Sequence, residues 1–224
     1  MPDSGFLLSL LKQDTYLMSR RTNVIAAALS VLALGSPLIT ACADQGRIYF
    51  EQGLEKFDSG NYQGAIDDWT KTIEIYPQEA VAYYNRGNAK SALNDNQEAI
   101  ADYTKAIEID PQYADAYMYR GVAKDNLQDY QGAISDLNKA LEIDPKYALA
   151  YYNRGLAKSR LGDPQGAIKD WSKTIEFDPQ FALAYINRGI KRENQNDLEG
   201  ACQDWRKAAE LGRKEPVKWV KQQC

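Results

Sequence analysis

The most informative absence from this chain is histidine, because none of its 224 residues is one. Histidine is the commonest general base near neutral pH and the commonest metal ligand, so its absence counts against both kinds of site. The three cysteines, Cys42, Cys202 and Cys224, are too scattered in sequence for a zinc site. We therefore predict no metal and no cofactor.

The chain also lacks an excess of positive charge and the short motifs of common enzymes. Its 27 Lys and Arg stand against 31 Asp and Glu, whereas a dedicated nucleic-acid binder usually carries a basic excess. The sequence contains no phosphate-binding loop ending in Lys-Ser or Lys-Thr and no nucleophile elbow. These absences predict a protein that is not an enzyme, binds no nucleic acid and acts on no small-molecule substrate.

Residues 1–43 read as a targeting segment rather than as part of the fold. A pair of arginines precedes small, apolar residues from Val24 to Ile39, which is typical of a secretory signal peptide. The apolar run is short and interrupted at Ser36-Pro37, so it is a poor membrane span. Met18, just before the arginines, would give a signal of ordinary length, and we expect translation to begin there.

The segment ends in Ile39-Thr40-Ala41-Cys42, which resembles the lipobox of bacterial lipoproteins. In that family the cysteine receives diacylglycerol and becomes the mature N-terminus. The resemblance therefore implies an exported protein whose lipidation site is Cys42, anchored on the periplasmic or lumenal side of a membrane. The alternative is ordinary cleavage after Ala43, which would give a soluble periplasmic protein.

Beyond that segment, several sets of residues recur every 34 positions, and a fixed period of this length is typical of repeat proteins. Within one repeat the order is Tyr-x2-Arg-Gly-x2-Lys, then Ala-x3-Trp/Tyr/Leu, then Pro. The recurring tyrosines are Tyr49, Tyr83, Tyr117, Tyr151 and Tyr185, and the recurring prolines are Pro77, Pro111, Pro145 and Pro179. This order resembles the tetratricopeptide repeat over about residues 46–212.

The resemblance implies an all-α fold, a right-handed solenoid of helix-turn-helix repeats with a C-terminal capping helix at 213–224. The repeats are expected at 46–79, 80–113, 114–147, 148–181 and 182–212. Local signals agree with this division. Gly60, Asn94 and Gly162 can each adopt the left-handed conformation that ends a helix, and Asp163 followed by Pro164 is typical of a helix start.

Two charged rows follow the same period, a basic one on the predicted first helices and an acidic one on the second helices. We expect an internal Arg–Asp ladder between packed helices, because a recognition surface would vary more from repeat to repeat. A charged recognition surface is the alternative. The acidic row is Asp68, Asp102, Asp136, Asp170 and Asp204. The arginines are Arg86, Arg120, Arg154 and Arg188, and the first repeat has Gln52 at the equivalent position.

In the family that this chain resembles, the first helices line a concave groove. The lining residues are those at the second, fifth, ninth, twelfth and thirteenth places of each repeat. An apolar groove of this kind usually marks an interaction site. The alternative is that some of its side chains pack under neighbouring repeats. The fifth places are Phe50, Tyr84, Met118, Tyr152 and Ile186, and the ninth places are Leu54, Asn88, Val122, Leu156 and Ile190.

The predicted function is a protein-interaction scaffold of the bacterial cell envelope that holds a peptide or helix of a partner, in assembly of a membrane complex. The family's clamp on a C-terminal carboxylate is not expected, because only Arg47 is basic at a second place, so an amphipathic helix or an apolar peptide fits better. Two alternatives are a structural protein that pairs with itself through the groove and, with less support, an enzyme using Asp115, Asp125 and Glu193.

Cys202 and Cys224 are predicted to form a disulfide. Each lies eleven residues from Arg213, where a turn between two helices is expected. An antiparallel helical hairpin would bring the two cysteines level. Export would place them in a compartment where disulfides persist.

Overall fold

The structure is a computed structural model that describes residues 37–224, with only the backbone described for 37–44. Most of the predicted signal segment, residues 1–43, therefore lies outside the described residues. The same holds for the side chain of Cys42. The described chain divides into two compact units, of which the first ends at Asp102 and the second begins at Tyr103.

The described residues form eleven α-helices and no strand. In the first unit α1 packs on α2 and α2 on α3, and in the second unit each helix from α5 to α11 packs on the next. The predicted fold class, an all-α solenoid of helical repeats, is confirmed. The helices are α1 (Pro37–Asp58), α2 (Tyr62–Ile75), α3 (Ala80–Ala92), α4 (Asn96–Ile109), α5 (Ala114–Asn126), α6 (Tyr130–Ile143), α7 (Ala148–Arg160), α8 (Pro164–Phe177), α9 (Ala182–Glu193), α10 (Leu198–Glu210) and α11 (Glu215–Gln223).

The turns inside the helix pairs follow from local sequence. In each pair a residue just after the end of the first helix has a left-handed conformation. The prediction for Gly60, Asn94 and Gly162 is confirmed by φ values of 80°, 66° and 88°. In four of the pairs the next helix is then capped by an Asp or Asn side chain. At Asp163, for example, the carboxylate accepts a hydrogen bond of 2.8 Å from the backbone N–H of Gly166.

Each helix pair is closed by a small residue on the first helix and a large one on the second. In the fourth repeat a Cβ on Gly155 would lie 2.6 Å from Nε1 of Trp171, so only glycine permits this approach. The indole N–H of Trp171 donates to the backbone carbonyl of Tyr152 at 3.2 Å. A buried indole that also makes its hydrogen bond fixes the distance and rotation of the two helices.

The ladder interpretation of the charged rows is confirmed. Nε and Nη2 of Arg154 donate to the two carboxylate oxygens of buried Asp170 at 2.9 and 2.6 Å, and Nζ of Lys158 lies 2.8 Å from Oδ2. The remaining nitrogen, Nη1 of Arg154, donates to Asn138 on α6 at 2.7 Å. One arginine thus joins three helices. The same carboxylate arrangement occurs at Arg86–Asp102, Arg120–Asp136 and Arg188–Asp204.

Candidate functional site

The structure corrects the prediction that the fifth places line an open groove. Tyr84, Met118 and Tyr152 are 1%, 0% and 3% exposed, and Ile186 is buried as well. Only Phe50, in the first repeat, is half-buried. The fifth places from Tyr84 onwards are therefore core residues of their repeats, and they offer little surface to a partner.

The contacts of Tyr152 show the physical reason for this burial. Its ring lies 4.7 Å from the ring of Phe181, and its hydroxyl accepts a hydrogen bond of 3.0 Å from Nδ2 of Asn187 on α9. Burial raises the pKa of Tyr152 well above its usual range, and the hydrogen bond from Asn187 offsets only part of that rise. The first helix of the next repeat thus covers the fifth place of the one before it. Asn153 does the same for Met118, with Nδ2 at 3.6 Å from the sulfur.

These asparagines at the sixth place were missed by the sequence reasoning. The available signal was their recurrence at Asn85, Asn153 and Asn187 within predicted helices, next to the apolar fifth places. In the first unit Asn85 is buried, and its Nδ2 has no hydrogen-bond partner among the described residues. The fifth place of the repeat before it is Phe50, whose side chain has no acceptor, whereas Met118 and Tyr152 supply a sulfur and a hydroxyl.

The second and ninth places, in contrast, form a partly open apolar row in the second unit. On α7, Leu149 and Leu156 are seven residues apart and thus share one helix face. All members of this row are half-buried, so each keeps some of its surface exposed. Two of them, Leu183 and Ile190, also pack against the core cluster of Tyr185, Ile186 and Ala208. We name this row the apolar strip, and it consists of Val122, Leu149, Leu156, Leu183 and Ile190.

Polar pairs border the apolar strip. On the side of the helix starts, the hydroxyl of Tyr147 donates to Asp115 at 2.7 Å. On the side of the helix ends, Arg160 forms an ion pair with Asp125, and burial lowers the pKa of Arg160. Two of the three carboxylates that were considered as catalytic candidates from the sequence, Asp115 and Asp125, therefore take part in contacts within the protein.

The remaining predicted groove residues belong to the first unit. Phe50 and Leu54 are half-buried and pack against a core of Ala65, Trp69 and Ala89. Asn88 is 5% exposed, which corrects the prediction that it lines an open surface. No continuous apolar row comparable to the apolar strip results from these three residues.

A disulfide joins the two cysteines that were predicted to pair. The Cα atoms of Cys202 on α10 and Cys224 at the end of α11 are 5.7 Å apart. Trp219 of α11 packs against the core cluster of Tyr185, Ile186 and Ala208. Helix α11 is thus held at both the aromatic contact and the covalent link.

The residues from 37 onwards offer neither a membrane-spanning helix nor a cluster of metal-ligating side chains. None of their helices combines the length and the hydropathy that crossing a bilayer requires. No three acidic or sulfur side chains in this part of the chain are grouped so that they could hold a metal ion.

Comparison with known proteins agrees with the geometry of the helix pairs. A sequence model described as tetratricopeptide repeat matches residues 80–113 and 148–181, and a second, described as TPR repeat, matches residues 126–162. In these residues the chain is similar to tetratricopeptide repeats. The matched models indicate no catalytic family. No match was found among curated protein sequences.

Solved structures of tetratricopeptide-repeat proteins are similar to this chain. A crystal structure of MamA protein is 27% identical, with a TM-score of 0.67 over 81% of this chain and 97% of that one. The first TPR of Spaghetti (RPAP3), bound to the HSP90 peptide SRMEEVD, is 28% identical, with a TM-score of 0.52 over 53% of this chain and 94% of that one. YrrB, a TPR protein with an unusual peptide-binding site, is 21% identical, with a TM-score of 0.62 over 77% and 90%, and shares the fold.

Proposed function

We propose that this protein is an interaction scaffold that holds an apolar peptide, or one face of an amphipathic helix, against the apolar strip. The observation that carries the proposal is the half-burial of five aliphatic side chains in register on α5, α7 and α9. Fixed aliphatic side chains that remain partly exposed gain free energy when a partner covers them. The peptide bound to the similar Spaghetti domain supports a peptide as the kind of ligand.

The chemistry of the strip favours an apolar ligand over a carboxylate. The second places in the second unit are Asp115, Leu149 and Leu183, so no cation stands there to bind a chain terminus. A catalytic role finds little support, because Asp115 and Asp125 already contact Tyr147 and Arg160. Holding a ligand requires no group beyond the strip itself.

The proposal can be tested by photo-cross-linking in native membranes. A photo-reactive residue in place of Leu156 should give a discrete adduct with the partner, which the additional substitution Leu149→Ser should reduce about tenfold. The matched control is the same photo-reactive residue at Leu161, which is 50% exposed and lies outside the strip. An adduct of equal yield from Leu161, or none from Leu156, would contradict the proposal.

We further propose that the scaffold works in the cell envelope, anchored through a lipid on Cys42, in assembly of a membrane complex. The lipobox-like sequence at residues 39–42 supports this location. Two or more acyl chains give stable anchoring, since each buried CH₂ contributes about 0.8 kcal/mol.

The anchor predicts the behaviour of a single variant. The wild-type chain should fractionate with membranes, and Cys42→Ser should be released or left unprocessed. Cys224→Ser is the matched control and should remain with the membranes. Mass spectrometry of the mature N-terminus decides the matter, because an unmodified terminus at Asp44 would show ordinary cleavage instead.

A further inference from the structure

The outer face of α1 is exposed where the later first helices are covered. Ile48 is 42% exposed, and Glu51, Gln52 and Glu55 on the same face are exposed too. At the place of Ile48 the later repeats have alanine, and each of these alanines is fully buried. They are Ala82, Ala116, Ala150 and Ala184.

Helix α11 also has an exposed outer face, of the opposite charge. Pro216 is buried, and Trp219 lies 5.3 Å from the ring of Trp205, so these residues turn towards α10. Val217 is 40% exposed, and Lys218 and Lys221 beside it are exposed as well. Glu51 and Glu55 thus make the outer face of α1 acidic beyond exposed Arg47, and Lys218 and Lys221 make that of α11 basic beyond exposed Glu215. Among the described side chains, each face also carries an exposed aliphatic one.

Four charged side chains on these two faces have no ion-pair partner among the described residues. None of Glu51, Glu55, Lys218 and Lys221 forms an ion pair with another residue of the part that the structure describes. Four other lysines on the second helices do otherwise, because they pair with a glutamate three residues later. These pairs are Lys105–Glu108, Lys139–Glu142, Lys173–Glu176 and Lys207–Glu210.

We propose that the outer face of α1 in one copy binds the outer face of α11 in a second copy, so that copies associate head to tail. Glu51 and Glu55 are four residues apart, and Lys218 and Lys221 are three apart, so each pair projects from one side of its helix. Ile48 and Val217 supply apolar contact beside the charges. Because the two faces differ, every dimer leaves one face of each kind unused, and assembly continues or closes into a ring.

The association is weak and sensitive to salt. Exposed ion pairs contribute little each, and they are screened over a Debye length of about 8 Å at physiological ionic strength. A lipid anchor would compensate by confining the copies to a surface, where their local concentration is high. The contact uses neither the apolar strip nor the ladder.

The test is a charge swap in the full-length chain, purified in a mild detergent and followed by sedimentation velocity. The variant Glu51→Lys/Glu55→Lys has two basic ends, and Lys218→Glu/Lys221→Glu has two acidic ends. Each alone should associate about tenfold more weakly than wild type, whereas a mixture of the two should recover association. Wild-type association should also fall between about 0.05 M and about 0.5 M NaCl.

Two controls separate this contact from other routes to association. Lys139→Glu/Lys173→Glu reverses two exposed lysines away from both ends and should sediment like wild type, and Leu149→Ser/Leu156→Ser should too. Thermal melting of every variant checks its fold. The proposal is overturned if wild type remains monomeric at low salt, if the mixed variants do not associate, or if the variant of the apolar strip is the one that dissociates.

Discussion

The first and fourth repeats share the contacts inside each helix pair but differ on one face of the first helix. Trp69 donates to the carbonyl of Phe50 at 3.2 Å, and Trp171 donates to the carbonyl of Tyr152 at the same distance. The hydroxyls of Thr72 and Thr174 lie 3.4 and 3.3 Å from the carbonyls of Gly46 and Ala148. The difference between the repeats therefore does not lie in how a pair closes.

The difference lies on the face that meets a preceding repeat. On α7, which packs on α6, Ala150 is fully buried and Arg154 reaches Asn138. On α1 the same places hold exposed Ile48 and exposed Gln52. The arginine and the alanine therefore serve the contact between repeats, whereas the tryptophan and the threonine serve the contact within one.

Removal of the buried carboxylate should give the largest change in the free energy of unfolding. The size of this change should differ between the fourth and the first repeat. Asp170→Ala leaves Arg154 and Lys158 without their acceptor, so we expect the free energy of unfolding to fall by about 3 to 5 kcal/mol. Asp68→Ala should lower it by only about 1 kcal/mol, because its partners Lys56 and Lys71 are partly exposed and can turn to water. Urea unfolding followed by circular dichroism measures both, and equal losses would break the comparison.

Exchanging the residues at the equivalent positions of Arg154 and Gln52 should change the free energy of unfolding by an intermediate amount. Arg154→Gln imitates the first repeat and leaves Asp170 with Lys158 alone, so we expect a loss of about 2 kcal/mol. The reverse change, Gln52→Arg, should alter stability by less than about 0.5 kcal/mol, since Asp68 already has two lysines. If Arg154→Gln proved as harmless as Gln52→Arg, the arginine would not be what ties one repeat to the next.

An exchange at the position of Ala150 and Ile48 compares a packed site in the fourth repeat with an exposed site in the first. Ala150→Ile adds volume to a fully packed position and should cost about 1 to 3 kcal/mol. Ile48→Ala removes volume from an exposed position and should change stability by less than about 0.5 kcal/mol. Melting temperatures of the two variants suffice to compare them. A large loss from Ile48→Ala would mean that another element covers the outer face of α1.

The features that repeat along the sequence were predictable from it. The period of 34 residues predicted the helical repeat, and the alignment of the charged rows predicted the Arg–Asp ladder. The residue types at Gly60, Asn94 and Gly162 predicted left-handed conformations there. Each of these depends on local conformation or on spacing within one repeat, so the sequence alone carries enough information for them.

The exposure of the fifth places could not be predicted in the same way. Tyrosine and methionine suit a buried and a half-exposed position equally well, so the residue types at Met118 and Tyr152 did not decide between them. What decides is the neighbour in the next repeat, Asn153 or Asn187, together with the ring of Phe181. That information comes from packing across repeats, which a resemblance to a family groove does not supply.

The arginine of the ladder also bears on how the chain reaches its fold. Arg154 bonds Asn138 sixteen residues before it and Asp170 sixteen residues after it. The bonds of Asn153 to Met118 and of Asn187 to Tyr152, which also join neighbouring repeats, span 35 residues. The entropy lost on closing loops of this size is small, and a low contact order goes with rapid folding. The contacts that join a third helix to the Arg154 cluster are therefore made by residues close together in sequence. Their formation does not depend on a pairing between distant parts of the chain.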